Sequence, residues 1–324
     1  MDFIETSVMS LTGVMDKAFD IHKKNIGTSA LYLFIVFIIR MILYFILLFI
    51  GMFSIVLMAV NFYSDFRVDD IAQHMDWGSI ISIVFGLIIL FSIIFLLEIG
   101  KQVGIIDIAS KGFLDRPVRL EKALVQAFKK IPTVLSVLIA YGVIFIPIII
   151  LFGGLLLFIL DNTFNIINIW SILLCLAFIV ISIYLATIYM FSINTAVIEK
   201  LYFFKALKRS RLLVRKNFWR LLGINILFSL IVIAITYSIY SILGIVGGVF
   251  HIILRGMDIG EATLTSFLTI GNILRIPLQI IFSLFISPLG QIFNTILYYN
   301  QRFKKEGYDI ELKLEDLQRT SETI

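Results

Sequence analysis

The chain has 324 residues, 60% of them hydrophobic and 15% charged, with a formal net charge of +5 and a mean hydropathy of +1.02. Soluble domains carry roughly 25% charged residues, so this composition excludes an ordinary soluble fold. Spans of about 20 residues each use up the length, leave no room for a separate catalytic domain, and make anionic lipid headgroups, rather than nucleic acid, the natural counterpart of the positive charge.

Apolar stretches fall at approximately 29–61, 78–98, 133–160, 164–198, 218–250 and 264–299. They predict an all-α polytopic membrane protein with six transmembrane helices. The 33 residues of the first stretch would reach about 50 Å as a helix, so these helices tilt or run on into the headgroup layer. Before that stretch, Leu11, Val14, Met15, Ala18, Phe19 and His22 share one helical face. The stretch follows Lys23 and Lys24, too late for a cleaved signal peptide, and is expected to stay in the membrane. Glu98 closes the second stretch.

A second amphipathic segment precedes the third stretch. Leu120, Ala123, Leu124, Ala127, Phe128 and Ile131 form its apolar stripe, and Glu121, Lys122, Gln126, Lys129 and Lys130 its polar face. Pro147, Pro277 and Pro288 mark kinks within later spans. Cys175 is the single cysteine of the chain, which excludes an intramolecular disulfide and leaves it as a small packed hydrophobe. Ahead of the fifth stretch, Phe203, Ala206, Leu207, Ser210, Leu213 and Val214 repeat the stripe. Lys205, Lys208, Arg209, Arg211, Arg215 and Lys216 make this the most basic segment of the chain.

The charges sort by side. Of the 27 Lys and Arg residues, 23 lie in the N-terminal segment, the second-to-third and fourth-to-fifth connections, and the tail. The other connections hold Arg67 and Arg255 with Asp65, Asp69, Asp70, Asp76, Asp161, Asp258 and Glu261. This asymmetry predicts both termini in the cytoplasm. Enrichment in Ile, Phe and Lys points to a bacterial plasma membrane.

Order along the chain predicts three units, each an amphipathic in-plane helix followed by a transmembrane hairpin, at approximately 8–98, 119–198 and 200–300. Residues 1–300 form one transmembrane domain and 301–324 a cytoplasmic tail. Two roles fit the amphipathic segments. They recruit anionic lipid or a protein partner at the cytoplasmic face, or they hold the loops inside while their stripes pack on neighbouring helices.

Arg40 and Arg275 lie within apolar stretches. Two deep cations without an internal counter-ion would suit an anionic ligand such as a phospholipid headgroup. Alternatively, 41–60 and 276–297 are the true spans, and both arginines snorkel to opposite interfaces. The chain contains no Walker loop, H-E-x-x-H or G-x-S-x-G motif, and no cofactor is expected. His74 and His251, in separate outer connections, lack the fixed spacing of a metal site. Trp77, Trp170 and Trp219 sit at span ends as interface anchors.

In the tail, Tyr308 to Leu314 alternates apolar and polar residues as a strand would. Just before it, Leu297-Tyr298-Tyr299-Asn300-Gln301-Arg302 leads into Lys305-Glu306-Gly307-Tyr308-Asp309. This run resembles the end of the glycerophosphoryl diester phosphodiesterase membrane-domain family, with Asn300 where an Asp is usual. Ala206-Leu207, Ser210, Leu213 and Asn217-Phe218-Trp219 are similar to the same family's pattern. The resemblance implies a membrane module and, without a catalytic barrel, no phosphodiesterase activity. The sequence therefore favours a non-catalytic module that anchors, regulates or organises partners. A carrier of an anionic or amphipathic substrate is the alternative, for which internal repeats and central arginines are expected.

Overall fold

The computed structural model describes residues 8–64, 77–161, 169–256 and 261–322. Among these lie nine helices and no strand: α1 (Leu11–Ser64), α2 (Trp77–Phe113), α3 (Leu120–Asp161), α4 (Ile169–Ile188), α5 (Ser192–Ile198), α6 (Phe203–Val214), α7 (Phe218–Gly256), α8 (Glu261–Glu306) and α9 (Tyr308–Glu322). Six helical stretches are long and apolar enough to cross a membrane: Thr12–Met52, Val84–Phe113, Leu120–Leu157, Ile169–Ile198, Phe218–Phe250 and Pro277–Glu306. This is the all-helical architecture of a multi-pass membrane protein.

Burial divides the long helices along their length. The core takes Val14 to Val36 of α1, Ile99 to Phe113 of α2, Ala123 to Ala140 of α3, Leu221 to Phe228 of α7 and Leu289 to Phe303 of α8. The other ends of the same helices expose large apolar side chains, among them Phe45, Phe49, Phe85, Phe91, Ile150, Leu157, Ile245 and Ile252. Apolar surface on that scale is stable against hydrocarbon and not against water. Beyond its kink at Asn25, α1 runs to Ser64, about 58 Å of helix. Even a tilt of about 40° leaves it longer than a hydrocarbon layer of about 30 Å. The excess length of the helices is spent on a compact core at one end, here called the core end.

Close packing at the core end depends on small residues of α2. Tyr32 lies flat against Gly104, where an added Cβ would overlap its ring. Its hydroxyl donates to the Gly100 carbonyl at 2.6 Å. Gly112 meets Ile21 and the Asn25 amide in the same way. These glycines let the backbones of α1 and α2 approach, as small residues do between membrane helices.

The three amphipathic segments join their spans differently. The first runs into its span within α1, across the non-helical Asn25 (φ −114°, ψ 15°). The second passes through Pro132 inside α3 without a break. Only the third is a helix of its own, α6. Their stripes face inward: Val14, Ala18, Ala123, Ala127, Ala206, Leu207 and Leu213 are buried, whereas Phe128 and Phe203 are exposed. Lys305 Nζ donates to the Leu212 and Leu213 carbonyls at 3.0 and 2.6 Å. It thereby satisfies two acceptors that end a helix without partners.

The fourth span is interrupted. The chain turns between α4 and α5, and Ser210 of α6 bridges the gap, donating to the Ile188 carbonyl at 2.9 Å and accepting from the Phe191 amide at 3.1 Å. Tyr141 donates to the Tyr189 carbonyl at 2.6 Å. Buried backbone can leave a helix only where such partners replace the lost bonds.

The tail corrects the strand expectation, because residues 308–322 form α9. Gly307, at φ +64°, ends α8 with its amide on the Phe303 carbonyl at 3.2 Å, a left-handed helix stop. Leu312, one turn beyond the packed Tyr308, is buried, while Ile310 and Leu314 are exposed. With no strand among the described residues to pair with, hydrogen bonds within the segment decide its form.

Candidate functional site

Arg40 has a counter-ion, contrary to the expectation of an unpaired deep cation. Its Nη1 donates to Glu98 Oε2 at 2.8 Å, and Lys101 pairs with the same carboxylate. The antiparallel packing of α1 on α2 brings Glu98 level with Arg40, where exposed apolar helix gives way to the buried core. Arg275 lies in α8, and its side chain is outside the described residues, as are those of Arg67, His74 and His251.

The basic segment divides. Lys205, Lys208 and Arg211 are exposed on the face of α6 opposite its buried stripe, and Arg215 and Lys216 are exposed just beyond its end. Phe204, Leu212 and Trp219 are exposed beside them. Arg209 does not belong to this face. It donates to both carboxylate oxygens of Glu199, at 3.1 and 2.8 Å, and to Glu306 at 2.8 Å. Burial opposes its charge, but the hydrogen bonds and charges of Glu199 and Glu306 outweigh it and hold its pKa above the ordinary value.

The run from Tyr298 to Tyr308 ties the core end together. Tyr298 donates to Glu199. Tyr299 shares a hydrogen bond with Ser110 at 2.6 Å and stacks on Phe113. Asn300 accepts from the Met9 amide at 2.9 Å and donates to the Met9 carbonyl at 3.2 Å. Gln301 accepts from Asn217 at 3.0 Å. Arg302 donates to Glu306 at 3.1 Å, approaches Glu199 at 3.8 Å and lies 3.6 Å over the Tyr308 ring. One helical end thus reaches α2, α6 and α9 and the links before α1, after α5 and before α7.

Beside this knot is a cavity of about 220 Å³, lined by Asp107, Ser110, Leu114, Arg116, Lys130, Val197, Ile198, Tyr299 and Tyr308. Asp107 is 7% exposed, which for a carboxylate demands partners. It has two, Lys111 of its own helix and Lys130 of α3 at 3.7 Å. Arg116, in the exposed link to α3, supplies another cation at the rim.

The basic connections of the sequence contain Lys111, Arg116 and Lys130 as topological charges, not as a site. One sequence signal was available: Asp107 stands four residues before Lys111, an acid within an otherwise apolar helical turn. Its meeting with Lys130, Tyr299 and Tyr308 depends on packing across four helices. Compared with family models, curated proteins and solved structures, the chain matches none of them.

Proposed function

We propose that this chain is a non-catalytic membrane module whose core end faces the cytoplasm and gathers anionic lipid, and through it protein partners, at the basic face of α6. The observation that carries this reading is the orientation of α6. Its apolar stripe is used up inside the protein, so Lys205, Lys208, Arg211, Arg215 and Lys216 stand free beside exposed Phe204, Leu212 and Trp219. Bases mixed with aromatic and aliphatic side chains suit the headgroup boundary, where stems and rings bury and charges reach phosphate. The Arg40–Glu98–Lys101 cluster, at the edge of the buried core, fits the inner interface. The sidedness of the charges supports an inside location for this end and both termini.

The three-unit plan supports the same reading. The first and third amphipathic segments meet their spans at breaks, at Asn25 and 215–217, and the second runs on through Pro132. A similarity to the phosphodiesterase membrane-domain family would add a membrane module without the enzyme.

The test is binding to vesicles of phosphatidylcholine with and without phosphatidylglycerol, comparing the native chain with Lys208→Gln/Arg211→Gln/Arg215→Gln. At about 1 kcal/mol per base near an anionic surface, the triple variant should lose roughly ten- to hundredfold in affinity at low salt. Equal binding by both proteins rejects the proposal. The interrupted fourth span favours a carrier as the second reading, since broken helices form transporter sites. Substrate-dependent flux in proteoliposomes would select the carrier.

A further inference from the structure

The charge around the cavity between α2, α3, α5, α8 and α9 does not balance. Asp107 is the one acidic lining residue, and it is buried between Lys111 and Lys130. Arg116 stands at the rim, and Lys200 acts electrostatically on Lys130. Asp115, beside Arg116, is exposed. The lining itself therefore sets two cations, Arg116 and Lys130, against one carboxylate, which Lys111 also neutralises. The remaining polar groups are the hydroxyls of Ser110, Tyr299 and Tyr308; Ser110 and Tyr299 share one hydrogen bond, so with Tyr299 donating to Ser110 the Ser110 and Tyr308 protons are left for a ligand. A volume of about 220 Å³ equals the share of about seven waters at roughly 30 Å³ each, enough for a tetrahedral oxyanion with part of its ester.

Two residues near the lining in sequence are also held in unfavourable backbone. Asp115 and Lys200 have φ of +48° and +56°, in the left-handed region that suits glycine. An aspartate tolerates it; a lysine has no such compensation. Strain of this kind persists where the surroundings over-determine it and often marks a ligand site.

We propose that this cavity binds a phosphate-type dianion, with Lys130 and Arg116 as its cationic donors and the Ser110 and Tyr308 hydroxyls as its neutral ones. The anion is either free phosphate or the phosphomonoester of a lipid headgroup; both present the same tetrahedral array of acceptors. Asp107 positions Lys130 and sets the selectivity, since it repels any anion that Lys130 and Arg116 do not hold together. The site lies apart from the basic face of α6, so the two proposals fail separately.

The experiment uses the full chain in phosphatidylcholine nanodiscs. Inorganic phosphate is titrated by calorimetry at constant ionic strength, and retention of phosphatidic acid is followed in parallel by native mass spectrometry. Saturable binding of at least one probe is expected. It should weaken about tenfold, the loss of roughly one charge-assisted contact, in both Arg116→Gln and Lys130→Gln. The triple variant of α6 should bind that probe as the native chain does. Phosphate binding identifies a soluble anion, and phosphatidic acid retained without phosphate binding identifies a headgroup. Arg116 is exposed, so its variant reads out even if Lys130→Gln does not fold. Lys200→Gly should weaken binding while raising Tm, a combination that a structural role for Lys200 would not give. No saturable binding of either probe, or the same binding in Arg116→Gln as in the native chain, overturns the proposal.

Discussion

Tyr32 fills the space that a side chain at position 104 would need, and its hydroxyl has its acceptor at Gly100. The Gly104→Ala variant must push a buried ring away, a repacking that costs about 1–3 kcal/mol. Its Tm should fall by several degrees in a detergent melt followed by tryptophan fluorescence. A second residue-scale test concerns Asn300, which both donates to and accepts from Met9. An ionised Asp can only accept, so Asn300→Asp leaves the Met9 carbonyl without its donor and buries a charge. The cost is about 1–3 kcal/mol, read as a lower Tm that recovers as pH falls and the carboxyl protonates. An amide at position 300, rather than a carboxylate, thus has a local physical use in this chain.

Among elements, α6 is the most dependent on its neighbours. It is short, and its ends are satisfied from outside, by Lys305 at its C-terminus and by Ser136 at its start, which accepts from the Phe203 amide at 3.1 Å. Glu199 holds it to α8 by binding Arg209, with Tyr298 and Arg302 on the same carboxylate. Removing that charge in Glu199→Gln leaves Arg209 and Arg302 with Glu306 alone, and a loss of about 1–3 kcal/mol is expected from the lost charge-assisted hydrogen bonds. Limited proteolysis should then cut between α5 and α6 first; an unchanged digest would contradict the clasp. The helix itself was legible in the sequence, because a three-four spacing of apolar residues means one buried face wherever it packs. The role of Arg209 was not. Nothing in the local pattern separates it from Arg211, and its partners lie in α8 and in the link before α6. The form of the tail was misleading for a related reason: alternation over a few residues fits a strand, yet it also places Tyr308 and Leu312 one helical turn apart.

For the molecule as a whole, the sequence marked the apolar stretches but not how far the helices overshoot them. Length and hydropathy are local, whereas the division at Arg40 and Glu98 into exposed span and buried core is a property of packing. The arrangement predicts a pattern of chemical access. In a Cys175→Ser background, single cysteines replacing Lys122, Lys216 and Lys304 should all react with a membrane-impermeant maleimide from the cytoplasmic side. A cysteine replacing Asp258 should react from the other. The native Cys175 is exposed on a helix of apolar surface, so lipid should shield it from the same reagent. Labelling of Lys122→Cys and Lys304→Cys from opposite sides would overturn the shared core end.

The end of α8 touches nearly every other element, yet it is made late. A ribosome that has delivered α1 to α7 has not yet supplied the partners of Met9, Ser110, Glu199, Arg209 and Asn217. Until the ribosome adds Tyr298 and its successors, the earlier helices can enter the bilayer but not close at the core end. In chain order, the last span to arrive acts as the keystone. Insertion and tertiary assembly should therefore be separate events in time, and a nascent chain stalled before Leu289 should be membrane-integrated, protease-sensitive at its inner ends, and a waiting client for whatever guards unfinished membrane proteins.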